Sequence, residues 1–214
     1  DMKLRRYLGG GRLEQDGEWH CEYDADGNLT ERYLGTGRWL DGKKDRWRYR
    51  WNADGSLAKV VRPDKREVEF TYDALGRRLS KSFGTTVTRW VWNGNVPLHQ
   101  WKQHREYSVV EDRWNTDTER RDMTVWLFDE ESFVPVAMIK EGRSYSILTD
   151  QLGTPTEAYD TEGNEVWSRV LDMDGNVIEE TGNKGMVPFL FQGQYYDRET
   201  GLAYNRFRYY SPKM

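Results

Sequence analysis

The feature that most constrains the fold is a short motif that recurs along the chain. An aromatic residue is followed directly by Asp or Asn and, four positions after the aromatic, by Gly, with copies that begin at Tyr23, Trp51 and Tyr72. Asp can accept hydrogen bonds from backbone N–H groups in a tight turn, and Gly can adopt the positive φ that such turns require. A unit that recurs every 20 to 30 residues or so indicates stacked supersecondary elements rather than one globule with a unique centre.

The motif resumes near the C-terminus, where Asp150, Asp160 and Asp172 each precede a Gly by three positions. It therefore frames the whole chain. We predict a structural role in turns for eight of these residues: Asp24, Gly27, Asp73, Gly76, Asp150, Gly153, Asp160 and Gly163.

Strand-like alternation accompanies the turns. In residues 46–51 the aromatic side chains of Trp47, Tyr49 and Trp51 alternate with arginines, and residues 68–72 alternate in the same way. Successive side chains of a strand point to opposite faces, so this pattern indicates half-buried strands. The fold class that follows is all-β: a train of β-hairpins that forms a large curved antiparallel sheet.

The repeat is weaker in the middle of the chain. Strand-like runs persist at Thr88–Trp92, Tyr107–Glu111 and Thr124–Phe128. The charged stretch Asp112–Asp122 predicts an exposed loop, with a short helix as the alternative. Pro135–Lys140 and Ser144–Leu148 are typical of another hairpin.

Composition excludes several classes of function. The net charge of −4 mixes both signs along the chain, so no basic field favours nucleic acid. Cys21 is the one cysteine and the three histidines form no ligand spacing, so we predict no metal and no cofactor. No apolar run approaches the length of about 20 residues that spans a bilayer, and the first residues lack a signal-peptide pattern. A chain that starts at Asp1 is expected to be a piece of something longer.

The most distinctive stretch is residues 191–212, FQGQYYDRETGLAYNRFRYYSP. It predicts two strands joined by a tight connection at 197–201, in which the Asp197 carboxylate accepts backbone N–H groups and Gly201 takes a positive φ. Strand alternation would place Phe207 and Tyr209 on one face and their neighbouring arginines on the other. By pattern alone, this stretch is an aromatic-rich hairpin.

Three linked motifs resemble the RHS-repeat-associated core of the Rhs and YD-repeat family of bacterial polymorphic toxins. The first is the stretch at residues 191–212. The second is TDQLGTPT at 149–156, which is similar to the family's TDHLGTP element with Gln151 in place of the usual His. The third is YDTEGNEVW at 159–167, similar to the family's D-x-x-G-x-x-x-W segment.

The resemblance implies a fold and a function. In this family a YD-repeat sheet spirals into a hollow shell around a toxin domain. Residues 1–140 would be a YD/RHS-type β-repeat region and residues 141–214 an RHS-repeat-associated core segment. The core segment's aromatic hairpin would help to close the shell, through Tyr195, Tyr196, Asp197, Gly201, Tyr204, Arg206, Phe207, Arg208, Tyr209 and Tyr210.

The implied function is that of a non-catalytic β-shell scaffold segment of an Rhs-type toxin, which encloses and helps to deliver a C-terminal toxin domain. The implied partners are the rest of the same Rhs polypeptide, the enclosed toxin domain and secretion-apparatus proteins, with no nucleic acid and no membrane span. The expected location is bacterial, with synthesis in the cytoplasm followed by secretion or delivery at the cell surface.

An enzymatic role is not expected. In the family a pair of aspartates in a segment beyond this region, which contains an Asp-Pro dipeptide, cuts the toxin free. This chain reaches Met214 without any Asp-Pro dipeptide. Adjacent acids such as Glu179 and Glu180 would point to opposite faces of a strand. The G-x-S-x-G nucleophile motif is absent from the sequence.

A carbohydrate-binding β-repeat surface is the alternative, because exposed Trp and Tyr rings beside Asp, Asn and Arg suit sugars. It requires exposed rings, whereas a scaffold buries most of a set that comprises Trp47, Trp51, Trp90, Trp92, Trp101, Trp126 and Trp167. A propeller fits less well because the repeat spacing is irregular. About 20 strands at ~4.8 Å are too few to encircle a toxin domain, so either flanking shell or a self-closed small sandwich is expected.

Overall fold

The computed structural model describes residues 5–35 and 44–214, which fold almost entirely into antiparallel strands. Within those residues there is no α-helix, and one 3₁₀ turn spans Gly9–Gly11. The prediction of an all-β hairpin train is confirmed. Two compact units divide the chain: the first runs to Thr71 and includes Met214, and the second spans Tyr72–Lys213.

The first unit is a run of sequential antiparallel pairings in which each strand pairs with the next. Its strands are β1 (Arg5–Tyr7), β2 (Leu13–Asp16), β3 (Trp19–Tyr23), β4 (Leu29–Leu34), β5 (Lys44–Trp51), β6 (Leu57–Val61) and β7 (Glu67–Tyr72, whose last residue belongs to the second unit). The alternation predicted for residues 46–51 is present, because Tyr49 is buried while Arg48 and Arg50 are exposed. Leu57, Val60 and Val68 are fully buried.

The second unit contains a long antiparallel sheet and a small one. The long sheet comprises β8 (Arg78–Phe83), β9 (Thr86–Asn93), β10 (Val96–Ser108), β11 (Arg113–Thr116), β12 (Arg121–Phe128), β13 (Pro135–Lys140), β14 (Arg143–Thr149), β15 (Pro155–Tyr159), β16 (Glu165–Leu171) and β17 (Val177–Gly182). The small sheet comprises β18 (Tyr195–Asp197), β19 (Leu202–Asn205) and β20 (Arg208–Tyr210).

Two predictions for the middle of the chain were wrong. Residues 113–116 form a strand that pairs with the end of β10, so the charged stretch is the second arm of a hairpin rather than a loop. The strand predicted to continue to Glu111 ends at Ser108, because the chain reverses at residues 109–112. Tyr107 packs edge-on against Trp114 across this hairpin, a pairing that polar composition alone did not indicate.

The core of the second unit is built from directly opposed residues on one face of the sheet. Trp126 lies opposite Met138, and Ala158 lies between Ile147 and Trp167 on its two neighbouring strands. All five side chains are buried, and Phe189 packs edge-on against Trp126 at 4.8 Å. Side chains from residues 187–204 pack on this face, so the small sheet lies against the aromatic core of the long sheet.

The recurring Asp-x-x-Gly motif forms one kind of turn. At residues 73–76 the Gly76 N–H donates to the Asp73 carbonyl at 3.0 Å, and Asp73 Oδ1 accepts from the N–H groups of Leu75 and Arg77. The same two kinds of hydrogen bond recur in the turns that begin at Asp24, Asp150, Asp160 and Asp172. In each, the Gly N–H donates to the Asp carbonyl, and at least one backbone N–H donates to the Asp carboxylate. The chain thus uses one local solution repeatedly to reverse direction.

The predicted boundary between residues 140 and 141 falls within the hairpin of β13 and β14, inside the second unit. It stays a prediction about how the family divides its segments. In the parts of the chain that the structure describes, no helix has the length and apolar character needed to cross a membrane.

Candidate functional site

The small sheet is held to β8 by a group of charges that we call the ion-pair cluster: the buried Arg78, Lys81 and Asp197 and the partly exposed Glu199. Arg78 and Lys81 both donate hydrogen bonds to the Asp197 carboxylate. Its Oδ1 accepts from Arg78 Nη2 at 3.2 Å and from Lys81 Nζ at 3.0 Å, and its Oδ2 accepts from Arg78 Nη1. Lys81 Nζ also reaches Glu199 Oε2 at 2.7 Å. Asp197 is 0% exposed and Arg78 is 1% exposed.

The electrostatics keep the cluster charged. Burial disfavours ionisation of Asp197, but attraction to Arg78 and Lys81 and the hydrogen bonds from them outweigh burial and hold the pKa of Asp197 below its usual range. Burial likewise opposes the charge of Lys81, yet Asp197 and Glu199 raise its pKa. Both carboxylate oxygens of Asp197 are occupied and no solvent reaches them, so this carboxylate fixes structure rather than transferring protons.

Aromatic rings surround the Arg78 guanidinium. Its central carbon lies 4.5 Å from the Trp90 ring centroid, 4.6 Å from Tyr204 and 5.2 Å from Tyr195. A cation over ring faces is stabilised further when both groups are removed from water. Two of these rings belong to the small sheet and one to β9, so Arg78 ties together both sheets of the second unit.

Hydroxyl groups complete the attachment of the small sheet. The Tyr204 hydroxyl accepts from the Arg78 N–H and donates to the Gly76 carbonyl, both at 3.0 Å. The Tyr72 and Tyr209 hydroxyls are 2.6 Å apart. Burial is the main cause of the raised pKa of Tyr72 and of Tyr209, so both phenols stay protonated.

Three of the Asp-x-x-Gly turns are covered by side chains from residues 191–210, which we call the aromatic segment. A Cβ added to Gly76 would lie 2.7 Å from Phe207, one on Gly153 would lie 2.7 Å from Gln192, and one on Gly175 would lie 3.1 Å from Phe191. The segment also bonds to carbonyls of the same turns, from Tyr204 to Gly76, from Gln192 to Leu152 and from Tyr210 to Asp174. We call these the covered turns.

The turn at residues 160–163 has the same backbone but nothing over it. Gly163 has φ +84, and a Cβ built there meets no described atom within 4 Å. The turn that ends at Gly55 in the first unit is equally bare. We call the 160–163 turn the open turn. Gly27 has φ +86, and the side chain of Arg12 lies 3.7 Å from where its Cβ would be.

The remaining predicted hairpin residues take varied positions. The Gly201 N–H donates to the Asp197 carbonyl at 2.8 Å, and the Tyr196 N–H donates to the Pro188 carbonyl at 2.8 Å. Arg208 is exposed at the start of β20. Arg206 and Phe207 form the turn between β19 and β20 rather than continuing a strand, so the predicted alternation at 206–209 was wrong there. Arg206 takes φ +51, and Phe207 is 73% exposed although its ring edge covers Gly76.

Sequence reasoning missed the partners of the Asp197 carboxylate, which was expected to accept backbone N–H groups. That carboxylate instead binds cations more than a hundred residues away in sequence. Sequence reasoning also missed the turn at residues 62–65. There Lys65 adopts φ +65 at the position that Gly occupies in the other turns. The Arg-Pro-Asp sequence before Lys65 was the available signal, because Pro favours the second position of such turns.

The seven tryptophans of the predicted set do not form an exposed platform. Trp90, Trp101, Trp126 and Trp167 are buried, and the other three members of the predicted set, Trp47, Trp51 and Trp92, are half-buried. Trp92 donates its ring N–H to the Arg78 carbonyl at 2.8 Å. A sugar-stacking surface needs exposed ring faces, which this set does not offer. In the described residues no group of His, Cys, Asp or Glu side chains has the arrangement of a metal site.

A second buried arginine holds the chain just before the aromatic segment. Arg169 is 5% exposed, and its guanidinium donates to the carbonyls of Val187 and Phe189. Burial lowers its pKa to about 10, with Glu180 opposing the shift and Arg198 adding to it. Carbonyls rather than a carboxylate are therefore the hydrogen-bond acceptors of this cation.

Comparison with known proteins gives a family-level match over nearly the whole chain. The model of the Teneurin YD-shell family matches residues 6–214. A probable deoxyribonuclease, RhsB of Dickeya dadantii, is 26% identical over 94% of this chain and 13% of its own length. Toxin protein Tse5 of Pseudomonas aeruginosa is 31% identical over 95% of this chain and 17% of its own length.

A crystal structure of TcdB2-TccC3 aligns with 96% of this chain and 9% of that chain, at 15% identity and a TM-score of 0.47. The chain spans less than a fifth of the length of each of these two toxin relatives.

Proposed function

Because the chain belongs to the Teneurin YD-shell family, with Rhs-type toxins among its relatives, we propose that it is a non-catalytic β-shell segment that encloses a C-terminal toxin domain and helps to deliver it. Its partners are then the rest of its own polypeptide, the enclosed toxin domain and secretion-apparatus proteins. It is made in the bacterial cytoplasm and secreted or delivered at the cell surface.

The observation that carries this proposal is the way the aromatic segment is fastened. One fully buried carboxylate receives two cations from β8, and the same segment covers three turns of the long sheet. Buried ion pairs contribute little net stability, but in some proteins they specify one arrangement, because any displaced arrangement leaves a charge unpaired. A segment that must lie in one place across strand ends suits the closure of a shell.

Protection of the toxin domain from protease tests the enclosure. The full polypeptide that contains this chain and the toxin segment following it would be digested, and the fragments would be followed by mass spectrometry. The wild type should protect the toxin segment, whereas the double variant Phe207→Ala, Tyr210→Phe should expose it sooner. The matched control is Thr161→Ala at the open turn, which should protect as the wild type does.

A second measurement separates enclosure from a self-contained β-domain. Light scattering after size exclusion would be recorded for this chain alone and after mixing with the downstream segment. A stable one-to-one complex supports a shell with its cargo. A monomer that ignores the segment, together with equal digestion of toxin in all variants, would contradict the proposal.

A further inference from the structure

A polar cavity of about 220 Å³ lies in the second unit, bounded by a row of side chains on five strands and by residues 185–188 and 195–199. The strand register creates the row. Lys81 of β8 is opposite Thr88 of β9, which is opposite Lys102 of β10. Gln100 precedes Lys102 by two positions on β10, so it lies on the same face. It is opposite Thr124 of β12, which in turn is opposite Lys140 of β13. Alternation therefore places three lysines on one face, along one wall of the cavity.

Cations outnumber anions around this cavity. The charged side chains that line it are Lys81, Lys102, Lys140, Arg169, Arg198, Asp122 and Glu199, and the phenols of Tyr195 and Tyr196 line it as well. Lys102 pairs with Asp122 at 2.6 Å and Lys81 with Glu199 at 2.7 Å. Arg198 pairs with Glu180, which lies outside the lining. Within the described residues Lys140 forms no ion pair, and Asp122, which already pairs with Lys102, attracts it only at longer range. Lys81 also pairs with Asp197, which Arg78 shares, so the five cations of the lining still outnumber the carboxylates around them and the cavity keeps a net positive charge.

Donors without acceptors belong to two residues that line the same cavity. Arg169 and Trp126 are 5% and 2% exposed, and in the part of the chain that the structure describes Arg169 Nε and Trp126 Nε1 have no hydrogen-bond partner. Gln100 Oε1 accepts from Trp90 and Tyr195, which leaves its amide nitrogen as a donor. Buried N–H groups in native proteins nearly always have an acceptor, so several unused donors beside unneutralised cations indicate that an acceptor binds there.

We propose that this cavity binds a small oxyanion, a carboxylate or a phosphate, with Lys140 and the Arg169 and Trp126 N–H groups as its principal donors. The volume corresponds to several water molecules at roughly 30 Å³ each, which suits one such group. Drug-sized ligands occupy larger pockets, from about 300 Å³ upwards. The anion is either free in solution or the acidic side chain of a bound polypeptide. This inference does not rest on the proposed shell function.

Calorimetric titration of the whole chain with inorganic phosphate, and separately with the peptide acetyl-Gly-Glu-Gly-amide, tests the site at constant ionic strength. Lys140→Gln removes a cation without breaking an ion pair and should weaken binding about tenfold, whereas Lys140→Arg should retain it. The matched control is Lys213→Gln, an exposed lysine outside the lining, which should bind as the wild type does. Circular dichroism melts would verify that each variant is folded.

The two probes distinguish the source of the anion. Phosphate binding that Lys140→Gln weakens, with no peptide binding, supports a free anion. Peptide binding that the same variant weakens supports a polypeptide carboxylate. Equal affinity of wild type and Lys140→Gln for both probes overturns the proposal, as does the lack of any binding tighter than about 10 mM.

Discussion

The turn at residues 73–76 and the turn at residues 160–163 have the same local structure and different surroundings. In both, Asp accepts backbone N–H groups and Gly takes a positive φ, +74 at Gly76 and +84 at Gly163. Phe207 lies against Gly76, whereas no described atom lies within 4 Å of a Cβ on Gly163. The local motif thus specifies the turn, and a distant segment decides whether the turn is also a docking surface.

Glycine therefore meets two separate requirements in this chain. At the open turn only the backbone conformation requires it. At the covered turns the missing Cβ also makes room for Phe207, Gln192 or Phe191. A comparison of substitutions at the two kinds of turn can separate these requirements.

The largest effect is expected from Asp197→Asn, which removes the charge that holds the aromatic segment over the turn at Gly76. Arg78 would lose this counter-charge and Lys81 one of its two, and breaking a buried ion pair in this way costs about 3–5 kcal/mol in the free energy of unfolding. Urea denaturation would measure it. Glu199→Gln is the control, since that side chain is partly exposed and Lys81 keeps Asp197. Similar losses in both variants would contradict a dominant role for Asp197.

The same variant gives a pH test. The pKa of Asp197 is lowered in the folded state, so its contribution is fully present above the unfolded pKa of about 3.9 and is lost as pH falls through the folded pKa. The stability difference between wild type and Asp197→Asn should therefore be constant from pH 8 to about pH 5 and shrink below about pH 4. A difference that changes near neutral pH would point to another group.

Gly153→Ala at a covered turn should cost about 3 kcal/mol, because a Cβ there would also lie 2.5 Å from Val134. Gly163→Ala at the open turn should cost only about 1 kcal/mol, for the left-handed backbone alone. Chemical denaturation of both variants measures the gap. Equal costs would mean that the side chains of Val134 and Gln192 move aside freely.

A double-mutant cycle at Gly76 and Phe207 tests the contact itself. Phe207→Ala opens space over the turn, so Gly76→Ala should be less harmful in that background, with a coupling of about 1 kcal/mol. The ring is mostly exposed, which limits the cost of Phe207→Ala alone. Additive losses would show that the ring swings away rather than pressing on the turn.

The smallest effect is expected from Tyr210→Phe, which deletes one hydrogen bond from the aromatic segment to the covered turn at Asp174. The loss should be about 0.5–1 kcal/mol, as for a single partly exposed hydrogen bond. Thermal melting would resolve it. Tyr145→Phe is the control, because its hydroxyl makes no hydrogen bond to the described residues, and it should melt as the wild type does.

Local rules made the hairpin train predictable from the sequence. Alternation marked β5 and β7, and each Asp-x-x-Gly copy marked a reversal, because both signals depend on neighbours within a few residues. The 62–65 turn and the 206–207 turn escaped because Lys65 and Arg206 take positive φ without Gly.

The ion-pair cluster was beyond local rules. The carboxylate of Asp197 has chemistry that suits a turn, and only the assembled second unit brings it to Arg78 and Lys81. Likewise, no sequence pattern distinguishes Gly153 from Gly163, since the side chains that cover the first come from about 20 and 40 residues away.

The separation between Arg78 and Asp197 has a consequence for biosynthesis. The two residues are 119 positions apart. At translation rates of about 5–20 residues per second, Asp197 leaves the ribosome roughly 6–24 s after Arg78. Throughout that interval Asp197 is not available to pair with Arg78, and Phe207 is not available to cover Gly76. The part of the second unit that is made first is thus completed only when nearly all of that unit has been synthesised.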